Sequence, residues 1–308
     1  MRVSLVGTGF WASRLAGAAR RAHGLELAKV YSRDEERRRA FAAGFGVDAA
    51  ASLDDALDGV DAVVLATPNQ THEEQACAAA ERGVRVFVEK PIADAVAAGE
   101  RIRDACERAG VRLQVGHELR RLGAARKAKE LVDAGALGTV VLAEANFSLA
   151  SPVKPGTWKE GRGTPLVQLG VHHADTLQYL LGPVTRASGV LSRVVSQVAI
   201  DDVGVASLEF ACGALGVIAS SYVSPKTYSL RLLGTDGVLD YRTDVSVWPA
   251  TDRLDELTTL TLNGERVEFA RVDPLVDEFE ELARGDDPET GGAEGLAALR
   301  VIEEAVAR

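Results

Sequence analysis

The chain has few cysteines, no excess of positive charge and no long apolar run, and each of these absences argues against a class of protein. Its three cysteines in 308 residues form no Cys-x-x-Cys pair, so neither a disulfide framework nor a zinc knuckle is indicated. A net charge of −10 without a basic stripe argues against a nucleic-acid partner and favours a small-molecule ligand. No apolar run approaches the ~18 residues that a membrane span needs.

The N-terminus also lacks the order of basic, apolar and small residues that a signal peptide has, since it begins with a strand-like run, RVSLVG. We therefore expect a cytoplasmic protein with no membrane partner. What is present is ordinary for a globular protein, with 46% hydrophobic and 26% charged residues. A chain of 308 residues is longer than one core usually organises, so two domains are expected.

Strand and helix patterns alternate through the first part of the chain. Short, almost wholly apolar runs such as DAVVLAT and VRVFVEK are each followed by a helical pattern such as THEEQACAAAERG. This alternation indicates βαβ crossovers and a parallel sheet whose strands are buried on both faces. We predict an α/β domain of the Rossmann type, which binds dinucleotides, over residues 1–118.

The alternation of strand and helix patterns ends after about residue 120. A helical pattern, LVQLGVHHADTLQYLLG, stops at Gly182 and Pro183, a glycine followed by a residue that cannot continue a helix. Strand-like segments then occur at 187–198, 203–211, 214–223, 228–233, 237–241 and 244–248. For residues 119–308 we predict an α+β domain with a large, mainly antiparallel open sheet. An amphipathic helix at about 293–307 is expected to pack on the first domain.

A glycine-rich turn, GTGFWA (7–12), joins the first predicted strand to the first predicted helix. Its glycines permit a tight turn and a close approach of the backbone to a pyrophosphate, whose charge the helix N-terminus favours. Alone this pattern is weak, but its place at the start of a βαβ series makes it a strong dinucleotide signal. The cofactor-binding residues predicted here are Gly7, Thr8, Gly9, Phe10 and Trp11.

The second strand ends in Ser32 and Arg33, where NAD-selective sites usually carry an acidic residue that binds the ribose 2′-OH. A hydroxyl and a planar cation suit a 2′-phosphate instead. Arg37 or Arg38 would add a second cation about one helical turn further on. Acidic residues that follow Arg33 directly argue the other way, so NADP(H) is favoured as the cofactor while NAD(H) stays open.

Three further motifs follow the turn in order: ATPNQTH (66–72), EKP (89–91) and Gly-x-His-x-x-Asp within 170–175. With the turn, they resemble the Gfo/Idh/MocA oxidoreductases over essentially the whole chain. The resemblance implies an enzyme acting on CH–OH groups, which transfers a hydride between a nicotinamide and a hydroxyl or keto carbon of a sugar or cyclitol. It also implies a homodimer or homotetramer formed through the second domain's sheet.

The EKP motif places Lys90 after an apolar strand, at the sheet edge where ligands bind in open α/β folds. Burial there would lower the proton affinity of a lysine, which suits a group that takes the hydroxyl proton as hydride leaves. The resemblance also implies a cis peptide before Pro91, whereas His72 has an alternative role as a helix start. The cofactor-binding residues predicted in these two motifs are Thr67, Pro68, Asn69, His72, Glu89, Lys90 and Pro91.

Two adjacent histidines stand in VQLGVHHAD (167–175). On an α-helix Gln168 and His172 share a face, while His173 points about 100° away, so the two histidines cannot readily chelate one metal. The family pattern maps its histidine to His172 and its first aspartate to Gln168, which is a departure. We predict that Lys90 and His172 share proton transfer, that Gln168 orients the substrate, and that His173 is structural.

Weaker substrate candidates lie near the domain junction and in a Trp-Lys pair where many relatives carry Trp-Arg. The full set of predicted substrate residues is Lys90, His117, Arg120, Trp158, Lys159, Gln168 and His172. Two other functions stay open: a glycosidase or lyase that oxidises its substrate transiently and retains the cofactor, and a non-catalytic dinucleotide-binding sensor. The missing charge at position 168 favours the sensor, whereas the intact EKP motif and His172 oppose it.

Overall fold

The computed structural model describes residues 1–155, 163–246 and 253–307. The chain divides into two compact units. Unit 1 comprises Met1–Glu118 and Pro274–Leu296, and unit 2 comprises Leu119–Asp273 and Ala297–Arg308. The first boundary, between Glu118 and Leu119, falls where the alternation of strand and helix patterns ends in the sequence.

Unit 1 alternates strands with helices, whereas unit 2 is dominated by strands. The strands of the described residues are β1 (Arg2–Val6), β2 (Glu26–Tyr31), β3 (Asp48–Ala49), β4 (Ala62–Leu65), β5 (Arg85–Glu89), β6 (Leu113–Gly116), β7 (Val140–Ser148), β8 (Val184–Ser192), β9 (Val203–Phe210), β10 (Leu215–Ser221), β11 (Thr227–Gly234), β12 (Val238–Thr243), β13 (Thr258–Leu262) and β14 (Glu265–Arg266). The α-helices are α1 (Phe10–Ala19), α2 (Glu35–Phe45), α3 (Leu53–Leu57), α4 (His72–Glu81), α5 (Val96–Ala109), α6 (Gly123–Asp133), α7 (Val171–Leu181), α8 (Pro274–Arg284) and α9 (Gly292–Val306). Within the described ranges, no helix combines the length and the apolar character that crossing a membrane requires.

Unit 1 contains a six-stranded parallel sheet in the order β3-β2-β1-β4-β5-β6. Its central strands are apolar because both faces are covered, and Val3, Val64 and Phe87 are at most 1% exposed. The strand order reverses between β1 and β4, and open α/β sheets bind ligands at the carboxyl edge beside such a reversal. The predicted Rossmann-type α/β fold is confirmed.

The segment 274–296 lies in unit 1, although the sequence pattern assigned it to the second domain. The apolar face of α8 buries Leu275, Phe279 and Leu282 in the core of unit 1, where Phe279 stacks on Phe87 with ring centroids 5.5 Å apart. Helix α9 begins in unit 1 and ends in unit 2. An amphipathic pattern shows which face of a helix is buried but not which partner covers it.

Unit 2 is built on an eight-stranded sheet in the order β14-β13-β12-β11-β7-β10-β9-β8. Every neighbouring pair is antiparallel except β7 and β10, so the predicted mainly antiparallel sheet is confirmed. The strand predicted at 244–248 is wrong for residues 244–246, because the Asp244 carboxylate accepts the N–H of Ser246 at 2.9 Å and closes a turn. Residues 247–248 lie outside the described ranges, and β13 and β14 were not predicted.

Candidate functional site

The turn between β1 and α1 has the geometry of a phosphate-binding loop. Gly7 has a φ of 121°, and a Cβ there would lie 2.5 Å from the carbonyl oxygen of Ala66, so glycine is required. Gly9 caps α1, and nothing lies within 4 Å of the place where its Cβ would be. No described side chain caps α1, and its first turn contains no acidic residue. Its N–H groups are therefore available to an anion, and the loop fits a pyrophosphate.

The end of β2 is hydrogen-bonded to this loop, which brings the predicted ribose residues beside the predicted phosphate residues. Thr8 Oγ1 donates to Ser32 Oγ at 3.2 Å, and Ser32 Oγ donates to the carbonyl oxygen of Asp34 at 3.1 Å. Arg33 is exposed and forms no hydrogen bond or ion pair with a described residue. The Ser32 hydroxyl thus contacts the phosphate loop and is followed in the chain by an exposed arginine.

The other two predicted arginines are engaged by the protein itself. Arg38 is buried; its Nη1 donates to the carbonyl oxygen of Ser32 at 2.7 Å, and its guanidinium lies 5.8 Å from the ring centre of Tyr31. Arg37 is exposed and pairs with Asp34 at 3.2 Å. Arg38 therefore supports the Ser32 loop by a bond to its backbone, whereas Arg33 has no such contact with a described residue.

The ATPNQTH motif follows β4, and two of its polar side chains point into the fold. Asn69 is 6% exposed, and its amide donates to the carbonyl oxygen of Ala93 at 3.4 Å. His72 is 1% exposed and starts α4, with its ring nitrogens 2.9 Å and 3.2 Å from the carbonyl oxygens of Thr67 and Ile92. Burial lowers the pKa of His72 despite these backbone contacts. Both residues connect the loop to the segment after the EKP motif, while Thr67 and Pro68 are partly exposed.

The EKP motif ends β5 at the carboxyl edge of the sheet, as predicted. Lys90 is partly exposed, and the Lys90–Pro91 peptide bond is cis, as the resemblance implied. Glu89 faces inward and is 5% exposed. His117 is 1% exposed, and its contact with the substrate stays a prediction. Glu118, which the sequence analysis did not single out, is a buried acid two residues after β6, the strand next to β5.

The segment that carries Gln168 begins as a π-helical turn, Leu166–Gly170, before α7 continues as an α-helix. The regular α-helix predicted over this stretch is therefore wrong at its first turn, because i→i+5 hydrogen bonding widens the helix there. The hydroxyl of Tyr222 donates to the carbonyl oxygen of Thr164 at 3.1 Å and holds the start of the turn on the sheet. The alignment of Gln168 with His172 on one face of the helix stays a prediction.

The two histidines of α7 have different surroundings. His172 is 4% exposed, with its ring centre 5.5 Å from that of Phe147. His173 is fully buried and stacks on Tyr228 at 4.7 Å. Burial lowers the pKa of His173 to about 4, with a smaller opposing effect from the backbone of Asn146, so its ring is neutral. These contacts agree with a structural role for His173.

Gln168 is partly exposed, and its Nε2 is buried without a hydrogen-bond acceptor among the described residues. A buried amide donor without a partner is costly, so this atom is suited to bind a ligand oxygen. Trp158 and Lys159, the other predicted substrate residues of this region, lie outside the described residues. Gln168 and His172 belong to unit 2, and Lys90 belongs to unit 1.

Arg120, a predicted substrate contact, is engaged in a buried ion pair inside unit 2. Its Nε and Nη2 donate to the two carboxylate oxygens of Asp175 at 2.8 Å and 2.5 Å, and both side chains are at most 7% exposed. The guanidinium also lies 5.1 Å from the ring centre of Tyr179. The pair ties the 3-10 turn Glu118–Arg121 to α7, so the structure favours a supporting role for Arg120.

The fold and the phosphate loop define a dinucleotide-binding oxidoreductase. A family model described as an oxidoreductase family with an NAD-binding Rossmann fold matches residues 1–117, and a model of the GFO/IDH/MocA C-terminal domain matches residues 125–240. The chain belongs to the GFO/IDH/MocA oxidoreductase family, which confirms the resemblance drawn from the motifs.

Individual relatives cover nearly the whole chain. A D-apiose dehydrogenase from Paraburkholderia graminis is 30% identical over 97% of this chain and 85% of its own length. A D-xylose 1-dehydrogenase (NADP(+)) from Haloferax volcanii is 30% identical over 90% of this chain and 88% of its own. A solved structure from Desulfitobacterium hafniense has a TM-score of 0.94 at 34% identity, covering 99% of this chain and 94% of that one. The agreement therefore extends through both units.

Proposed function

We propose that the protein is an NAD(P)-dependent dehydrogenase or reductase that transfers a hydride between nicotinamide and a hydroxyl or keto carbon of a sugar, a sugar derivative or a cyclitol. The observation that carries this proposal is the uncapped N-terminus of α1 behind Gly7 and Gly9, in the same unit as Lys90 at the sheet's carboxyl edge. Relatives named as dehydrogenases of D-apiose and D-xylose support a sugar or polyol substrate. They do not favour a cofactor-retaining glycosidase or lyase, or a sensor.

When bound, the nicotinamide would supply or accept the hydride, while side chains of the protein donate or accept the accompanying proton. Lys90 takes the proton of the substrate hydroxyl during oxidation and returns it during reduction, and His172 shares this transfer. Gln168 donates to a substrate oxygen through Nε2 and accepts from a hydroxyl through Oε1. The backbone N–H groups at the start of α1 hold the pyrophosphate.

The proton-transfer assignment is tested with Lys90→Met and His172→Ala, assayed on a panel of sugars and polyols with both cofactors. Each variant should lose about 10²- to 10⁴-fold in kcat, the usual contribution of a general acid–base group. Lys127→Met is the matched control, because this lysine lies on α6 in a partly exposed pair with Glu130 and should keep full turnover. Near wild-type turnover in both active-site variants would show that the assignment is wrong.

We further propose a preference for NADP(H), in which Ser32 and Arg33 bind the 2′-phosphate. A hydrogen bond to a charged group contributes about 1.5–3 kcal/mol, so Arg33→Ala should weaken NADP(H) binding about 10- to 150-fold and leave NAD(H) binding unchanged. Arg39→Ala is the matched control, because Arg39 is an exposed arginine of α2 that pairs with Glu35. Tighter binding of NAD(H) than of NADP(H) by the wild-type protein would contradict the preference.

We also propose that the protein forms a homodimer or homotetramer through the outer face of the eight-stranded sheet. Val190 and Val205 are 73% and 43% exposed and lie directly opposite each other on β8 and β9. Apolar side chains that are neighbours on an open sheet face favour association with a second copy. Val190→Lys should dissociate the oligomer in analytical ultracentrifugation, and a wild-type protein that stays monomeric at high concentration would refute the proposal.

A further inference from the structure

The ring of His72 lies between two segments of unit 1. The residue is 1% exposed and begins α4. Its Nε2 lies 2.9 Å from the carbonyl oxygen of Thr67, in the loop after β4, and its Nδ1 lies 3.2 Å from the carbonyl oxygen of Ile92, two residues after Lys90. The ring therefore joins the loop predicted to bind the cofactor to the segment that follows Lys90.

Both partners of this ring are hydrogen-bond acceptors, which limits how its two nitrogens can be satisfied. A neutral imidazole has one N–H donor and one lone pair, whereas the charged ring has two donors. Burial, the largest influence, lowers the pKa of His72 below 6.5. The backbone contacts of the ring and the charge of the exposed Asp94 oppose this effect without reversing it. At pH 7 the ring is therefore neutral and donates to only one of the two carbonyl oxygens.

The shorter contact identifies which nitrogen of His72 carries the proton. If it were Nδ1, the lone pair of Nε2 would face the carbonyl oxygen of Thr67 at 2.9 Å, the distance of a formed hydrogen bond. With the proton on Nε2, the opposed lone pairs are those of Nδ1 and the Ile92 oxygen, at the longer distance of 3.2 Å. The ring thus donates to Thr67 and packs against Ile92.

The loop that His72 holds has further support and lies against the phosphate loop. Thr67 Oγ1 donates to Gln75 Oε1 at 2.7 Å, and Thr71 Oγ1 lies 3.0 Å from Thr67 Oγ1 and 2.8 Å from the carbonyl oxygen of Pro68. The residue before Thr67 has its carbonyl oxygen 2.5 Å from the place where a Cβ on Gly7 would be. Side chains of α4 and of the turn before it therefore set the conformation of a partly exposed loop beside the predicted pyrophosphate site.

We propose that His72 is a positioning residue whose neutral ring donates from Nε2 to the carbonyl oxygen of Thr67 and so fixes the loop after β4 for cofactor binding. This inference rests on the proposed function. The ring is buried and both of its nitrogens face backbone carbonyl groups, so it leaves no polar atom for a ligand. His72 acts on the cofactor through Thr67 and not by direct contact.

The state of the ring is tested first on the full chain without ligand, by 15N NMR of the histidine side chains. The chain has five histidines, and the ring signals that His72→Gln removes belong to His72. At pH 7 we expect a neutral ring with its proton on Nε2. A ring protonated at both nitrogens, or one with its proton on Nδ1, overturns the donation to Thr67.

The effect on the cofactor is tested by calorimetric titration of the full chain with NADPH and with NADH. The amide nitrogen of glutamine can take the place of Nε2, whereas that of the shorter asparagine can take only the place of Nδ1. His72→Asn should therefore weaken dinucleotide binding about 5-fold, the usual contribution of one hydrogen bond, and His72→Gln should retain it. His23→Asn is the matched control, because His23 is an exposed histidine of the same unit and should leave binding unchanged.

Turnover separates this role from a general loss of structure. At saturating dinucleotide His72→Asn should keep the wild-type kcat and show a raised KM for the dinucleotide alone. Equal binding by His72→Asn and His72→Gln, or a kcat that falls with the dinucleotide saturating, overturns the positioning role. If His72→Asn does not fold, the NMR result still decides the donation. Absence of dinucleotide binding by the wild type overturns the proposed function together with the positioning role, whereas unequal pairs of wild type and variants are needed to sustain both.

Discussion

Removal of the Asp175 carboxylate should destabilise unit 2 strongly, because it breaks a bidentate ion pair with the buried guanidinium of Arg120. The two side chains form a bidentate pair with contacts of 2.8 Å and 2.5 Å and exposures of 7% and 1%. Charge-assisted bidentate pairs are among the stronger hydrogen-bonded contacts in proteins. Breaking a buried pair by removal of one partner costs about 3–5 kcal/mol, and we expect Asp175→Ala to lower the free energy of unfolding by that amount.

Replacement of both partners should be less harmful than removal of one. In the double variant Arg120→Met/Asp175→Leu both charges of this pair are removed, and apolar replacements of buried pairs are often close to neutral. The loss of stability should therefore be smaller in the double variant than in Asp175→Ala. This order distinguishes the cost of removing one partner of a charged pair from the simple loss of packing around α7.

The assay is urea denaturation monitored both by circular dichroism and by tryptophan emission. Two probes are needed because the two units need not unfold together. Arg186→Ala is the matched control, because it breaks the exposed Arg186–Glu209 pair in the same unit and should cause no measurable change. A loss of about 1 kcal/mol or less for Asp175→Ala would refute the reasoning, since that is the range of a solvated surface pair.

Three further predictions concern residues outside the proton-transfer site. Asp202→Ala should destabilise the turn after β8, because the Asp202 carboxylate accepts hydrogen bonds from the backbone N–H groups of residues 194–196. Burial opposes ionisation, but these bonds lower the pKa of Asp202 below 3.8. The loss in free energy of unfolding should therefore be complete above pH 3.8 and shrink in stronger acid, which urea denaturation at several pH values measures. His173→Phe should keep turnover, because its ring is a neutral core group stacked on Tyr228, and a loss of activity in the standard assay would contradict the separation of the two histidines. Gly123→Ala should yield little folded protein on expression, because a Cβ at this buried position would collide with the carbonyl oxygen of Ala270.

The fold could be predicted where its signals are local. Alternating apolar runs and helical patterns gave unit 1, and Gly7 and Gly9 gave the phosphate loop, because turn geometry depends on the residues of the turn itself. The place of α8 could not be predicted in the same way. Its apolar face was visible, but the partner that covers Phe279 is Phe87, almost two hundred positions earlier in the chain.

The candidate site shows the same division between local and distant signals. The register of the motifs led to Lys90 and His172 without any knowledge of the fold. It could not show that Arg120 is paired with Asp175, since 55 residues separate them, or that Arg38 turns inward to support Ser32. Such pairings arise only when distant strands and helices come together, so they appear in the structure and not in a sequence pattern.

Position 168 can be interpreted only from the sequence motif and the structure together. The motif register identifies Gln168 as the replacement for an aspartate, and the structure shows that it lies on a π turn held in place by Tyr222. Because the hydroxyl of Tyr222 holds the start of the turn, Gln168→Asp should add a charge without changing the backbone. A carboxylate there would favour the protonated form of His172 and move the pH profile of kcat towards higher pH. An unchanged profile with an altered KM would instead show that position 168 acts only in orienting the substrate.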